Sequence, residues 1–235
     1  MTQDLLTEQV NALGHVPMFR VLAPEVRLVL AERMKRRTYA PGEFICHQGD
    51  PGNTLFIILR GMVKIAIATA AGSEMVVALV TGGQFFGEMS LLDGKPRSAT
   101  AVALEPSLVA LLTRDAFLAC LRAYPEAAIS LLEELSTRMR GTNHLISEIT
   151  THNLQLRLVH KLLDLAHSFG QRTDSGVVIG LRLRQQDLAE MVNASREQVN
   201  RTLRALQQEG LLRLEHQRIT IVAPHELEAR ITAVD

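Results

Sequence analysis

FGEMSLLDGKPRSATA, residues 86–101, sets a glutamate and an arginine nine positions apart in a region otherwise built like short buried strands. A buried carboxylate and a buried guanidinium must either neutralise each other or meet a partner from outside the chain. On both sides of this stretch, from about residue 38 to 113, the runs TLFIILR, VKIAIATA, EMVVALV and SLVALLT are rich in β-branched residues. Glycines punctuate them, among them Gly42, Gly49, Gly61, Gly72, Gly83, Gly87 and Gly94. Many short strands with glycine turns predict an antiparallel barrel or jelly roll.

Outward from this region the period changes. Upstream, VRLVLAERMKR (residues 26–36) has apolar positions at helical spacing with Pro24 near its start, so short helices are expected there. Downstream, Pro125 begins a run reaching about Asn153 in which Leu132, Leu135, Met139, Thr142, Ile146, Ile149 and Asn153 alternate steps of three and four. That is a heptad seam, and it predicts a coiled-coil dimer with Thr142 as the polar anomaly beside Gly141. LQLRLVHKLLDLAH (154–167) is a second amphipathic helix, SFGQRTDSG (168–176) reads as a surface loop, and VVIGLRLR (177–184) reads as a strand. The expected organisation is α+β: residues 1–124 as N-terminal helices and jelly roll, 125–153 as a dimerisation helix, and 154–235 as a winged helix-turn-helix.

Composition excludes several classes. The 235 residues are 47% hydrophobic and 21% charged with zero formal net charge, which is globular and no polyanion binder as a whole. Tryptophan is absent and aromatics make up 4%, against a carbohydrate platform or a stacking surface for single strands. Cys46 and Cys120 form no CxxC pair, so an iron–sulfur centre is not expected. No Ser/His/Asp arrangement or metal-ligand spacing is evident, and no enzyme, metal site or cofactor is expected. No stretch approaches the roughly 20 apolar residues of a membrane helix; a cytoplasmic protein with no membrane partner is expected.

The segment LRQQDLAEMVNASREQVNRTLRALQQEGLL (183–212) has the grammar of a helix-turn-helix. Leu188 and Val192 face the core from a first helix, Asn193-Ala194 makes the turn, and Ser195 with Gln198 three residues later forms a capping box. Val199, Leu203 and Leu206 form the buried stripe of the second helix, so its other face displays Arg196, Glu197, Asn200, Arg201 and Arg204. Arginine reads guanine O6 and N7 with two prongs, and glutamate accepts from cytosine N4. LLRLEHQRITIV (211–222) follows as a hairpin wing. Residues 182–218 hold seven basic against five acidic side chains, so the order of parts, and not charge, points to double-stranded DNA.

PGEFICHQGD (41–50), LFIILRGMVKI (55–65), FGEMSLLDGKPRSATA and ASREQVNRTL (194–203) together resemble the bacterial cyclic-AMP receptor protein/Fnr (Crp/Fnr) superfamily of transcription regulators, from about Phe19 to Val222. The third stretch resembles the phosphate-binding cassette of cyclic-nucleotide-binding domains. The resemblance implies that Gly87, Glu88, Met89, Ser90, Arg97 and Ser98 hold the ligand. Arg97 offers a planar fork to the cyclic phosphate, with Ser98 as a hydroxyl donor beside it. Glu88 accepts the ribose 2′-hydroxyl, and Gly87 lets the backbone approach the sugar. On this reading the two charges grip opposite edges of one ligand.

The resemblance also implies that small polar residues on the long helix contact the purine. Heptad counting places Thr142 and Asn143 there, and an alignment anchored on Ile146-Ser147-Glu148 selects Ser147 instead. Ser195, Arg196, Glu197, Asn200, Arg201 and Arg204 are expected on DNA, with Arg196, Glu197 and Arg201 reading a TGTGA half-site in a palindrome. Arg184 and Gln185 stand where the family's best-known member has a threonine and an arginine, and are expected near phosphate. RNA polymerase is a candidate partner through the 168–176 segment. The expectation is a homodimeric, cyclic-AMP-responsive transcription factor. Cyclic GMP or cyclic di-GMP as the ligand, and a regulatory subunit that binds no DNA, are the alternatives.

Overall fold

The computed structural model describes residues 3–69, 72–215 and 217–232. Ala70, at the end of the VKIAIATA run, and His216, in the C-terminal hairpin, lie outside the described residues. The chain divides into two compact units, one of residues 1–68 and 77–142, the other of residues 69–76 and 143–235.

The first unit opens with three helices, α1 (Gln3–His15), α2 (Pro17–Arg20) and α3 (Pro24–Glu32). Pro17 and Pro24 stand in the first turns of α2 and α3, where the missing N–H has no intrahelical partner to lose. The strands β1 (Lys35–Tyr39), β2 (Phe44–Cys46), β3 (Thr54–Arg60), β4 (Met62–Ala68), β5 (Glu74–Thr81) and β6 (Phe85–Phe86) follow. Helix α4 (Glu88–Asp93), strands β7 (Thr100–Ala103) and β8 (Ser107–Thr113), and helices α5 (Arg114–Ala123) and α6 (Pro125–Thr151) complete the series, with residues 74–76 of β5 and 143–151 of α6 falling in the second unit. The strands make two four-stranded sheets of order β1-β8-β3-β6 and β2-β7-β4-β5, a jelly roll.

Strand β3 shows why its sequence is apolar without alternation. Phe56 and Ile58 face the core between the sheets with Tyr39, Val63, Phe86 and Val109. Leu55, Ile57 and Leu59 face the opposite way, into a second core with Phe19, Phe85, Phe117 and Leu131 from the surrounding helices. A strand covered on both faces has no polar side to show.

The 86–101 stretch is not the strand-like segment its neighbours imply. Gly87 and Gly94 both take left-handed φ, 85° and 72°, and bracket the six-residue helix α4. Glu, Met and Leu are good helix formers, and the two glycines supply the turns that detach them from the sheet.

In the second unit, α7 (Leu154–Phe169) packs Leu156, Leu158, Val159, Leu162 and Leu165 inward. Asn153 is not the last seam position of α6: its side chain caps α7 by accepting from the Leu156 N–H at 3.0 Å. SFGQRTDSG is not a loop. Gly170–Thr173 forms β9, paired antiparallel with β10 (Gly176–Ile179) across a tight turn. VVIGLRLR is strand only as far as Ile179; beyond it Leu181 and Leu183 are buried from an irregular segment.

Helices α8 (Gln185–Met191) and α9 (Arg196–Gln208), strands β11 (Leu212–Glu215) and β12 (Arg218–Ile221), and helix α10 (Pro224–Thr232) follow. The sheet order is β11-β12-β10-β9, so the C-terminal hairpin and the 170–179 hairpin share one sheet. Helix α10, which buries Leu227, has no counterpart in the sequence reading. Among the described residues, no helix is long and apolar enough to cross a membrane.

Candidate functional site

Arg97 is the centre of the first site. Its guanidinium is taken inward: the residue is 6% exposed. Nη1 donates to the Gly87 carbonyl at 2.8 Å and Nη2 to the Thr54 carbonyl at 2.7 Å. The carbon of the fork lies 5.0 Å from the Phe56 ring centroid. Neighbouring backbone holds the residue on both sides, with the Arg97 N–H donating to Asp50 and the Arg97 carbonyl accepting from Gly49. Burial lowers the pKa of Arg97. Among the described residues no carboxylate forms an ion pair with it, so its acceptors are two neutral carbonyls. These carbonyls take two of its five N–H groups.

Two glycines make room for this side chain. A Cβ on Gly87 would stand 2.5 Å from Nη1 of Arg97 and 3.2 Å from the Phe56 ring, and Gly87 also needs its left-handed φ. A Cβ on Gly52 would stand 2.3 Å from the Ser90 Cβ. Both positions exclude any side chain while Arg97 and Ser90 keep their places.

Glu88, the first residue of α4, is 5% exposed. Burial raises its carboxyl pKa, and Arg138 opposes the rise. Nη1 of Arg138 lies 3.5 Å from Oε1 of Glu88. The same guanidinium donates to the Phe85 carbonyl at 2.8 Å and to Glu134 at 2.9 Å, and its carbon sits 4.3 Å over the Phe85 ring. Arg138 is therefore a component of this site that the sequence reading missed. The only available signal was its position one turn before Thr142 on the same helix face.

The remaining expected ligand residues divide. Ser90 is buried and Met89 is 51% exposed, and the exposed Ser98 places its hydroxyl 3.4 Å from the Met89 sulfur. Thr142 is exposed and its hydroxyl donates to the Arg138 carbonyl at 3.1 Å. Asn143 and Ser147 are exposed further along α6. The structure thus gathers Gly87, Glu88, Met89, Ser90, Arg97 and Ser98 into one place, with Thr142 joined to it through Arg138.

The second site is the exposed face of α9. Ser195 caps the helix by accepting from the Gln198 N–H at 3.2 Å, while the Gln198 side chain accepts from the Ser195 N–H at 3.0 Å. Asn193 takes φ 48° in the turn, a conformation asparagine tolerates better than most residues. Val199, Leu203 and Leu206 are buried. Arg196, Glu197, Arg201 and Arg204 are exposed, and Asn200 is half-buried. Among the described residues no ion pair engages those four charged side chains, so they are not a self-neutralising surface.

Arg184 differs from expectation. Its Nε and Nη2 both donate to the buried Asp187 carboxylate, at 3.0 and 2.9 Å. The pair closes the N-terminus of α8, where the Arg184 N–H also donates to Asp187. Hydrogen bonding to Asp187 raises the Arg184 pKa. Gln185, the first residue of α8, is exposed.

Comparison with known proteins gives these sites a context. Residues 36–124 match the cyclic nucleotide-binding domain family and residues 156–230 the Crp-like helix-turn-helix domain family. The chain is 35% identical to the cyclic AMP receptor protein of Thermus thermophilus, over 84% of this chain and 88% of that one. It is 28% identical to the CRP-like cAMP-activated global transcriptional regulator of Mycobacterium tuberculosis, over 93% and 97%. Among solved structures, the c-di-GMP responsive global regulator CLP of Xanthomonas campestris superposes with a TM-score of 0.75 at 25% identity, over 82% of this chain and 95% of that one. A buried arginine cassette on a jelly roll, a capped recognition-type helix and these similarities meet in one conclusion: the chain belongs to the Crp/Fnr family of transcription regulators, with a cyclic-nucleotide-binding domain and a DNA-binding helix-turn-helix.

Proposed function

We infer that the ligand is a 3′,5′-cyclic mononucleotide, cyclic AMP in the first instance, and that its binding switches a homodimer to a DNA-competent form. One observation carries this reading: Arg97 is a buried guanidinium whose acceptors are neutral carbonyls. A buried charge without a counter-charge is costly, and a cyclic phosphate carries the single negative charge that relieves it. Glu88, occupied by Arg138 and not by Arg97, is left as an acceptor for the ribose 2′-hydroxyl.

Thr142 is preferred over Ser147 as the base contact. It lies one turn beyond Arg138, which reaches Glu88, whereas Ser147 lies about two and a half turns beyond. Asn143 follows Thr142 as the neighbouring candidate. A cyclic dinucleotide is disfavoured because its second phosphate wants a second strong cation: Lys95 is the only one nearby in sequence, and Arg138, which the fold brings to the site, is already engaged by Glu88 and Glu134. The similarity to cyclic-AMP-responsive relatives favours adenine.

The homodimer is supported by the exposed side of α6, where Leu132, Met139 and Ile146 are 62%, 63% and 55% exposed. Apolar residues in one stripe at heptad spacing are the surface of a coiled-coil partner. The dimer would present Arg196, Glu197 and Arg201 to the two halves of a TGTGA-like palindrome, in the cytoplasm and in concert with RNA polymerase. Ligand acts by binding the DNA-competent state more tightly than the other.

Calorimetric titration with cyclic AMP, cyclic GMP and cyclic di-GMP, followed by a DNA mobility shift with and without the tightest ligand, tests the scheme. Cyclic AMP is expected to bind tightest and to be required for the shift. Binding of none of the three sinks the ligand reading; a ligand that binds without any effect on DNA sinks the switch.

A further inference from the structure

The C-terminal end of α6 and the adjoining face of α7 carry a cluster that neither site uses. Glu148 lies on the last turns of α6, His152 follows one turn later just past the helix, and His160 comes from the second turn of α7. One ligating atom from each lies within 4.8 Å of the other two. Nδ1 of His160 is 3.7 Å from Oε1 of Glu148. The imidazoles of His152 and His160 stack with centroids 5.1 Å apart and planes 9° apart.

None of these approaches is a hydrogen bond, since 3.7 Å exceeds the usual donor–acceptor range. Nδ1 of His152 is buried and has no hydrogen-bond partner, an unfavourable state for a buried polar atom. Three ligand-type groups therefore converge through an ion-pair approach and a ring stack, with no hydrogen bond among them. A cation held by all three removes the mismatch.

We propose that Glu148, His152 and His160 form a binding site for a divalent transition-metal ion of the zinc class. Two imidazoles and one carboxylate suit zinc, whereas calcium and magnesium take oxygen ligands. Tetrahedral zinc, with ligands at about 2.0–2.1 Å, holds its donor atoms roughly 3.4 Å apart. The donor atoms, up to 4.8 Å apart, must close by as much as about 1.4 Å to reach that spacing, within the reach of side-chain rotation. Because each ring nitrogen directs its lone pair in the ring plane, one imidazole leaves the stack on binding. His144, one turn before Glu148, also has its Nδ1 3.7 Å from Oε1 of Glu148 and is exposed, so it is placed to take the fourth position in competition with water. Such an ion ties α7 to the last turns of α6 across the bend that Asn153 caps.

Zinc uptake by the chain alone tests the cluster without cyclic nucleotide or DNA. Untagged full-length protein, stripped with a chelator, is titrated with Zn²⁺ by calorimetry and with Co²⁺ by absorption spectroscopy. The expected result is one ion per chain, with tetrahedral cobalt d–d bands and no thiolate charge-transfer band. His160→Ala and Glu148→Gln are each expected to weaken binding at least about tenfold. His225→Ala, a change at a histidine whose side chain is 99% exposed, leaves binding unaltered. His152→Gln serves as a third variant, and thermal denaturation reports whether each variant folds. If the variants fail to fold, the wild-type stoichiometry and cobalt spectrum decide. No uptake by wild type, full affinity in folded variants, or a thiolate band overturns the proposal.

Discussion

The Arg138 guanidinium stands 3.5 Å from the Glu88 carboxylate, so the long helix and the ligand cassette of one chain meet in an ion pair. The two charges of the 86–101 stretch thus take different partners, Glu88 the Arg138 guanidinium and Arg97 two backbone carbonyls. This arrangement makes the cassette sensitive to substitutions on α6.

Arg97→Leu is expected to abolish high-affinity cyclic nucleotide binding. Removing a buried, charge-assisted contact costs roughly 2–5 kcal/mol, a weakening of about thirtyfold or more. The Gly87 and Thr54 carbonyls also lose their donors, so the ligand-free melting temperature should fall modestly. Calorimetry and a thermal melt separate the two effects, and binding within threefold of wild type would reject the cassette assignment.

Glu88 gives a signed pH dependence. Burial raises its pKa in the folded chain above the unfolded value. The folded state then binds the proton more tightly, and this stabilising contribution is complete below the ordinary carboxylate range and lost as pH rises through the raised pKa. Glu88→Gln is expected to remove that loss, making the ligand-free protein relatively more stable at neutral pH than in acid when compared with wild type. Arg138→Ala removes the opposing charge, so it should extend the loss to higher pH. Denaturant midpoints across pH for the three proteins check the sign; parallel curves would refute it.

Met139→Asp and Ile146→Asp are expected to yield monomers that fail to bind a palindromic site, because each would bury an unpaired charge in the proposed coiled-coil seam. Leu135 is unsuitable for this test: it packs against the helical core of its own unit, so a charge there attacks the fold itself. Sedimentation of the two variants decides, and an unchanged dimer in both would move the interface elsewhere.

The face of α9 predicts a base code. Arg201→Ala should cost roughly 1–3 kcal/mol in affinity and relax preference at one base pair. Arg184→Ala should act differently, because its fork is engaged by Asp187. It is expected to destabilise the start of α8 and to weaken all DNA sequences about equally. Competition binding on single-base variants of a TGTGA palindrome distinguishes them; a sequence-specific effect from Arg184 would assign it to a base edge.

Some features were legible because their causes are local. The capping box of Ser195 and Gln198 spans four residues, the αL turn at Asn193 belongs to one residue, and the buried stripe of Val199, Leu203 and Leu206 repeats with the helix. The strands from 38 to 113 could be read because glycine turns and β-branched runs report the sheet directly. Local signals also misled. SFGQRTDSG carries turn residues, yet Gly170–Thr173 is a strand, since its partner Gly176–Ile179 lies across a turn short enough for the same residues to supply both. The six-residue helix α4 hides in an apolar context because its limits are set by the backbone angles of two glycines.

By itself, the sequence determined the jelly roll, the long helix and the capped recognition-type helix, and its resemblance to a phosphate-binding cassette grouped Glu88 with Arg97 as an expectation. Only the tertiary structure decided how the charges are shared out. Arg138 comes to Glu88 from 50 positions away, Thr54 lends its carbonyl to Arg97 from 43 positions away, and His160 reaches Glu148 only through the bend at Asn153. Periodicity and caps report which face of an element is buried and where it ends. They carry no information about which distant side chain arrives there, because that is settled by the packing of whole elements against one another.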